Sequence, residues 1–228
     1  MTMIRIRSLV CPEDARRMVE ALAEVPWLDG RVTAGDQSAL AKRNLQAPED
    51  HPVTARLGQA ILEALAANPA FVSAALPRRV FPPLFNRYGP GMGFGDHIDN
   101  AIRASKTAGG RYRADLSCTL FLSDPDAYDG GELVIEDGLG GRRVKLPAGD
   151  AALYPAGTVH RVEPVTRGER FASFFWVQSM AANPAERALL HDLDRAIAGA
   201  RADLGDAHPA SVALVGAYHN LVRMWCEV

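Results

Sequence analysis

Two imidazoles and a carboxylate are the side chains in this sequence best placed to do chemistry. His97 and Asp99 sit two positions apart, so on a strand or extended loop both leave the same face of the backbone. His160 lies far downstream. If the three converge, they offer two nitrogens and one oxygen on one triangular face of an octahedron. Such borderline-to-hard donors suit Fe(II), Mn(II) or Zn(II) and leave three positions open for other ligands. A His-x-Asp triplet alone says little, and a single histidine is more often structural than ligating. The residues after His160 decide the matter.

His160 begins the strand-like run His160-Arg161-Val162-Glu163-Pro164-Val165. After the turn Thr166-Arg167-Gly168-Glu169, Arg170 opens a strongly apolar strand, Phe171 to Val177, so the spacing predicts a two-stranded hairpin. A guanidinium entering a sheet interior is costly unless it meets an anion. That anion is either an internal Asp or Glu, or the carboxylate of a small ligand gripped by the planar fork. The ligand is the preferred reading, because a planar, bidentate grip on a carboxylate resolves the cost of burying the charge. Tyr88 is a candidate partner for the bound ligand or a core tyrosine. Asp96 and Asn100 either orient the metal ligands or are ordinary loop residues.

The elements that must position these groups follow from periodicity. Met3 to Val10 alternates as a half-buried strand. Helices are expected over 12–24, where Pro12 suits a first turn, and over 52–67, ended by Asn68-Pro69. Residues 29–50 read as strand fragments and loop, with Lys42-Arg43-Asn44 as a solvated basic cluster. Strands are expected at 80–81 and 84–88, with Pro82-Pro83 restricting the start to an edge or bulge. The glycine-rich connection 89–95 lacks the following helix of a phosphate loop; its glycines are expected to permit close backbone approach beside the metal. The polar segment 100–113 is a candidate lid or a plain loop. Short strands then recur at 115–122, with Leu116, Cys118, Leu120 and Leu122 on one face, and at 132–136, 142–146, 151–154, 159–165 and 170–177. Many short strands separated by turns indicate a sandwich, barrel or jelly roll. From Asn183 the chain is helical: Asn183 at the N-cap, Pro184 and Glu186 form a capping-box-like start, with Leu189, Leu190, Leu193 and Ile197 as the stripe. A last helix over about 209–225 carries Val212, Val215, Leu221, Val222 and Trp225.

Composition narrows the function classes. A formal charge of −2 offers no basic stripe for nucleic acid. Three cysteines without Cys-x-x-Cys spacing read as reduced thiols rather than a disulfide framework. The N-terminal residues show no secretory pattern and no apolar run is long enough for a bilayer, so a cytoplasmic protein with no membrane partner is expected.

Three segments carry a family resemblance: Arg87-Tyr88-Gly89-Pro90-Gly91-Met92-Gly93-Phe94-Gly95-Asp96-His97-Ile98-Asp99-Asn100, Asp129-Gly130-Gly131-Glu132-Leu133, and residues 155–170 from Pro155 to Arg170. Together they resemble the bacterial PKHD-type hydroxylases, which are similar to prolyl 4-hydroxylases within the Fe(II)/2-oxoglutarate dioxygenases. The resemblance runs over most of the chain and implies a mainly β, α+β fold with a double-stranded β-helix (jelly-roll) core and a C-terminal helical segment. The expected organisation is an N-terminal strand and helices (1–76) packing on the core, the dioxygenase core (77–178), and C-terminal helices (183–228). It also implies His97, Asp99 and His160 as Fe(2+) ligands, with no catalytic residue beyond them, and Arg170 on the distal carboxylate of 2-oxoglutarate. The implied reaction hydroxylates a small-molecule or peptidyl substrate with O2, releases succinate and CO2, and depends on L-ascorbate; some members are associated with iron uptake, which points to iron homeostasis. Asp99 keeps the carboxylate, where a small residue would have suggested halogenase-like chemistry. The competing reading is a cupin-like metal-binding or sensing module without turnover, for which Arg170 would have no use. The C-terminal helices either pack on the core or mediate homo-oligomerisation.

Overall fold

The structure, a computed structural model, describes residues 3–33, 36–105, 109–136, 138 and 140–228, without the side chains of 32, 33 and 36–38. The strands in chain order are β1 (Ile4–Ile6), β2 (Leu28–Asp29), β3 (Lys42–Arg43), β4 (Leu45–Gln46), β5 (Pro77–Val80), β6 (Leu84–Tyr88), β7 (Gly93–His97), β8 (Ile102–Ala104) and β9 (Arg111–Arg113). They continue as β10 (Leu116–Phe121), β11 (Tyr128–Gly130), β12 (Leu133–Ile135), β13 (Arg142–Val144), β14 (Ala151–Pro155), β15 (His160–Val162), β16 (Val165–Gly168) and β17 (Arg170–Ser179). The helices are α1 (Pro12–Leu22), α2 (Asp36–Ala41), α3 (Pro52–Ala66), α4 (Pro69–Ala75), α5 (Pro184–Leu204) and α6 (Pro209–Trp225).

Five of these helices open on a proline, whose missing N–H would have had no intrahelical partner there. The residue before each proline caps the first turn: Asn68 Oδ1 accepts from Phe71 N at 3.0 Å and Asn183 Oδ1 from Ala185 N at 2.9 Å. Asn68-Pro69 therefore does more than end the preceding helix, as expected from the sequence. It also starts α4, whose Phe71, Ala74 and Ala75 are buried.

Among the described residues the strands form a larger sheet ordered β1-β14-β10-β17-β6-β4-β2, with β5 on β17, and a smaller one ordered β13-β12-β15-β7-β3. The pairings within both are antiparallel. This is the expected jelly roll with flanking helices. Strands contributed by residues 3–46 pair directly into both sheets.

Alternation along the larger sheet sorts its side chains. Leu116, Cys118, Leu120, Leu153, Phe175 and Val177 join the cluster built with α1, α3 and α4. The intervening positions face the smaller sheet, where Tyr88, Phe121, Ala152 and Tyr154 pack with Leu133, Ile135, Val144 and Val162. The apolar stripe read from the sequence thus marks the helix-covered face, and the polar residues between its members face the chamber.

Several local expectations change. The run 159–170 is not a hairpin: β15 lies in the smaller sheet, β17 in the larger, and β16 between them pairs with β11. The glycines of β7 make close approaches to neighbouring elements. A Cβ on Gly93 would lie 3.0 Å from the Val162 carbonyl oxygen, and one on Gly95 3.1 Å from Ala41 Cβ. The candidate lid contains the paired strands β8 and β9; residues 106–108 of it lie outside the described residues. On the C-terminal helices Leu190 and Ile197 are buried, whereas Leu189 and Val212 of the expected stripes are 53% and 59% exposed. Among the described residues no helix is long and apolar enough to cross a membrane.

Candidate metal centre

His97 ends β7 and His160 begins β15, and the antiparallel register sets the two residues directly opposite each other. Their rings lie 4.2 Å apart between centroids. Asp99 follows β7 in a loop held where the Asp99 amide donates to the Ala156 carbonyl at 3.3 Å. One potential ligand atom from each of His97, Asp99 and His160 falls within 4.8 Å of the others. His160 Nε2 and Asp99 Oδ2 are 3.7 Å apart.

The two imidazoles are oriented alike. Nδ1 of His97 bonds the Gly95 carbonyl at 2.8 Å and Nδ1 of His160 bonds the Thr158 carbonyl at 2.9 Å. A carbonyl only accepts, so each Nδ1 carries the proton and each Nε2 presents a lone pair. Phe94 stacks on His97 with centroids 3.5 Å apart, and Tyr154 meets His160 edge-on at 5.1 Å. Burial, reinforced by His160, pushes the His97 imidazole down to about 4, so it stays neutral at ordinary pH. Ser117, on the chamber face of β10, donates to Asp99 Oδ2 at 2.5 Å. Two imidazoles and a fixed carboxylate are the donor set of a divalent transition-metal site, so the residues present fit a metal.

Arg170 begins β17 and is 1% exposed. Its guanidinium lies between the rings of Tyr88 and Phe121, with centroids at 5.3 and 5.2 Å. None of its three nitrogens has a hydrogen-bond partner among the described residues. Among the described residues, then, no internal ion pair to an Asp or Glu engages it. Gly131 makes room for the side chain: a Cβ there would lie 3.1 Å from Arg170 Cδ. A buried fork with its donors unused fits a ligand carboxylate. Arg170, the triad and Tyr88 line one chamber between the sheets. Asp96 points away from it, exposed and paired with Arg161 at 3.3 Å, so it holds the strand exterior rather than a ligand.

Sequence reasoning overlooked three chamber residues. Ser117 was visible only as a polar position inside an apolar alternation. Lys42, read as surface, is 5% exposed, with its ammonium 5.4 Å from the Phe94 ring and 5.6 Å from the Phe174 ring. What buries it is the pairing of β3 with β7, which no local pattern announces. Arg103 on β8 lies 3.9 Å over Trp176.

Known proteins agree with this construction. Residues 83–178 match the family model of the 2OG-Fe(II) oxygenase superfamily, and residues 185–227 match that of the PKHD-type hydroxylase C-terminal domain. A PKHD-type hydroxylase of Methylobacterium nodulans is 54% identical over 226 residues, covering 99% of this chain and all of its own length. In solved structures the fold is shared by a Pseudomonas putida prolyl-4-hydroxylase, with TM-score 0.54, 18% identity and 78% of this chain against 92% of that one covered. It is shared too by HygX of Streptomyces hygroscopicus, determined with nickel, 2-oxoglutarate and hygromycin B, with TM-score 0.55, 15% identity and coverages of 78% and 83%. Full-length identity of this order, on a jelly roll that brings two histidines and an aspartate together, places the chain among the PKHD-type hydroxylases of the 2OG-Fe(II) oxygenase superfamily.

Proposed function

We propose that His97, Asp99 and His160 bind Fe(2+), that Arg170 grips the distal carboxylate of 2-oxoglutarate, and that the enzyme hydroxylates a small-molecule or peptidyl substrate with O2, releasing succinate and CO2. The observation that carries the reading is the buried Arg170 guanidinium, its three nitrogens without a partner among the described residues, in the chamber that holds the triad. A bound dicarboxylate would remove that cost by accepting from the guanidinium, and a sensing module that needs only the metal has no use for the group.

Iron with 2-oxoglutarate supplies the oxidative chemistry when bound; the protein supplies orientation and exclusion of water. The Gly95 and Thr158 carbonyls hold the Nδ1 protons, so both Nε2 lone pairs face the metal position. Ser117 fixes one carboxylate oxygen of Asp99. Tyr88 and Phe121 keep the plane of the guanidinium, and Phe94 and Tyr154 pack the imidazoles against water. L-Ascorbate enters this reading as the reductant that keeps iron ferrous. Iron homeostasis is the physiological setting, on the resemblance to relatives associated with iron uptake. A cytoplasmic location accords with three free cysteines, and the exposed Leu189, Leu204, Val212 and Met224 make the C-terminal helices the candidate homo-oligomer contact.

Anaerobic addition of Fe(II) and 2-oxoglutarate tests the reading. A visible charge-transfer band is expected in the wild type, and Arg170→Ala should lose 2-oxoglutarate affinity while retaining iron. A folded protein with no band, or equal loss of both ligands in the variant, overturns it.

A further inference from the structure

Asn86, in the middle of β6, is 7% exposed and lines the chamber that holds the triad and Arg170. Its Oδ1 has no hydrogen-bond partner among the described residues. Burying an amide unpaired is costly, and most buried side-chain polar atoms are paired. The sheet register shows what surrounds it. Asn86 pairs with Gln46 of β4 on one side and Ala172 of β17 on the other, and Ala172 pairs in turn with Phe121. In-register neighbours share a face, so the four side chains form one row. Ala172 and Phe121 offer no hydrogen bond, and Gln46 Oε1 already accepts from Lys42 Nζ at 3.3 Å. This row lies between the clamp and the metal position. Arg170 precedes Ala172 by two residues, about 7 Å along the strand, and pairs with Tyr88. Trp176, four residues beyond Ala172, pairs with Ser117, the residue that holds Asp99. The Arg170 guanidinium lies between the Tyr88 ring of its own row and the Phe121 ring of the next. It therefore reaches towards the row of Asn86, where the Ala172 methyl takes little space.

We propose that Asn86 donates Nδ2–H to the distal carboxylate gripped by Arg170, and that this neutral contact makes the chamber selective for a dicarboxylic keto acid. The proposal rests on the function proposed above and adds a specificity-determining residue to it. A carboxylate offers about four lone-pair sites and a bidentate guanidinium occupies two, which leaves room for a further donor. No bond to Oδ1 among the described residues fixes the amide, so it turns its donor end to an anion without breaking one. A neutral donor also suits this place. A second cation beside the buried Arg170 would add repulsion to the desolvation already incurred, and an amide adds none.

The test compares two keto acids on full-length protein loaded with Mn(II) in the absence of O2. 2-Oxopentanoate has the keto-acid end and chain length of 2-oxoglutarate but a methyl group in place of the distal carboxylate. Asn86→Leu, which keeps the volume and removes the amide, should weaken 2-oxoglutarate about tenfold or more. It should leave 2-oxopentanoate and Mn(II) affinities unchanged. Asn86→Asp sets a carboxylate against that of the ligand and should weaken 2-oxoglutarate further. Equal weakening of both keto acids by Asn86→Leu assigns the residue to packing and overturns the proposal; so does an unchanged affinity for 2-oxoglutarate in either variant. A second measurement needs no variant to fold. In wild-type protein loaded with diamagnetic Zn(II), the Asn86 Nδ2 protons should shift downfield with 2-oxoglutarate and not with 2-oxopentanoate. Protons that respond to both acids alike, or to neither, overturn the proposal. A wild type that binds 2-oxoglutarate through Arg170 but not Asn86 sinks this contact alone, whereas one that binds no 2-oxoglutarate sinks the function proposed above and this contact with it.

Discussion

Ser117 donates its hydroxyl to Asp99 Oδ2 at 2.5 Å across the gap between β10 and the loop after β7. The bond ties the only acidic member of the triad to the centre of the larger sheet, where Ser117 is 3% exposed. Ser117→Ala should leave the fold intact and lower divalent metal affinity about tenfold, the usual scale for losing a partner that orients a ligand. Titration of the apoprotein with Fe(II) or Mn(II) measures this; an unchanged affinity would mean that the loop alone holds Asp99.

Arg170 sets stability against function. Its guanidinium is buried between Tyr88 and Phe121 with no acid among the described residues to pair with it. Replacing an uncompensated buried cation by an apolar side chain of similar length removes a desolvation cost of several kcal/mol. Arg170→Met should therefore raise the unfolding free energy of the apoprotein by on the order of 1–4 kcal/mol in urea. The same variant should lose the stabilisation by 2-oxoglutarate, which in the wild type reaches about 2.7 kcal/mol at a hundredfold excess over Kd. A variant less stable than the wild type would show that Arg170 has a partner within the folded chain.

What was legible in the sequence is what local periodicity encodes. His97 and Asp99 share a side because the backbone there is extended, and Arg170 was conspicuous because a charge opens an otherwise apolar strand. The jelly roll followed from short strands and turns. What stayed hidden depends on pairing between distant segments. Lys42 looks solvated until β3 joins β7, and Thr166 to Gly168 look like a hairpin turn until β11 claims them as strand. Ser117 and Thr119 were masked by their apolar neighbours: alternation revealed two faces but not which one the helices would cover.

Lys42 should leave a signature in the pH dependence of stability. Its folded-state value, about 8, lies below the ordinary lysine value of 10.5, with burial the largest cause. Below pH 8 both states carry the charge and the folded protein bears the full desolvation cost. Between pH 8 and 10.5 the folded state sheds its proton first, so stability rises relative to a chain lacking the group; above 10.5 the cost is gone. At about 1.4 kcal/mol per unit of pKa the cost is at most roughly 3 kcal/mol, and loss of the bond to Gln46 offsets part of it. Lys42→Met should thus exceed wild-type stability by roughly 1–3 kcal/mol at pH 7, with the two converging above pH 10.5. A difference independent of pH would assign the gain to packing alone.

Gly168 tests the crossover that delivers Arg170 to the chamber. It ends β16 with φ +71°, and a Cβ there would lie 2.1 Å from the Ala127 carbonyl oxygen and 3.0 Å from Tyr128 Cα. Both are backbone atoms of the segment that leads into β11, so no side chain can swing aside to relieve the clash. Gly168→Ala combines left-handed strain with this overlap and should cost about 2–4 kcal/mol. The disturbance begins two residues before Arg170, so 2-oxoglutarate affinity should fall with stability. Gly199→Ala is the control: it lies inside α5 with nothing within 4 Å of the new Cβ, and should stabilise the protein by about 0.5–1 kcal/mol through the backbone entropy of glycine. Were Gly168→Ala as benign as Gly199→Ala, the β11–β16 pairing could not be what routes the chain from the smaller sheet to the larger one, and the placement of Arg170 would need another cause.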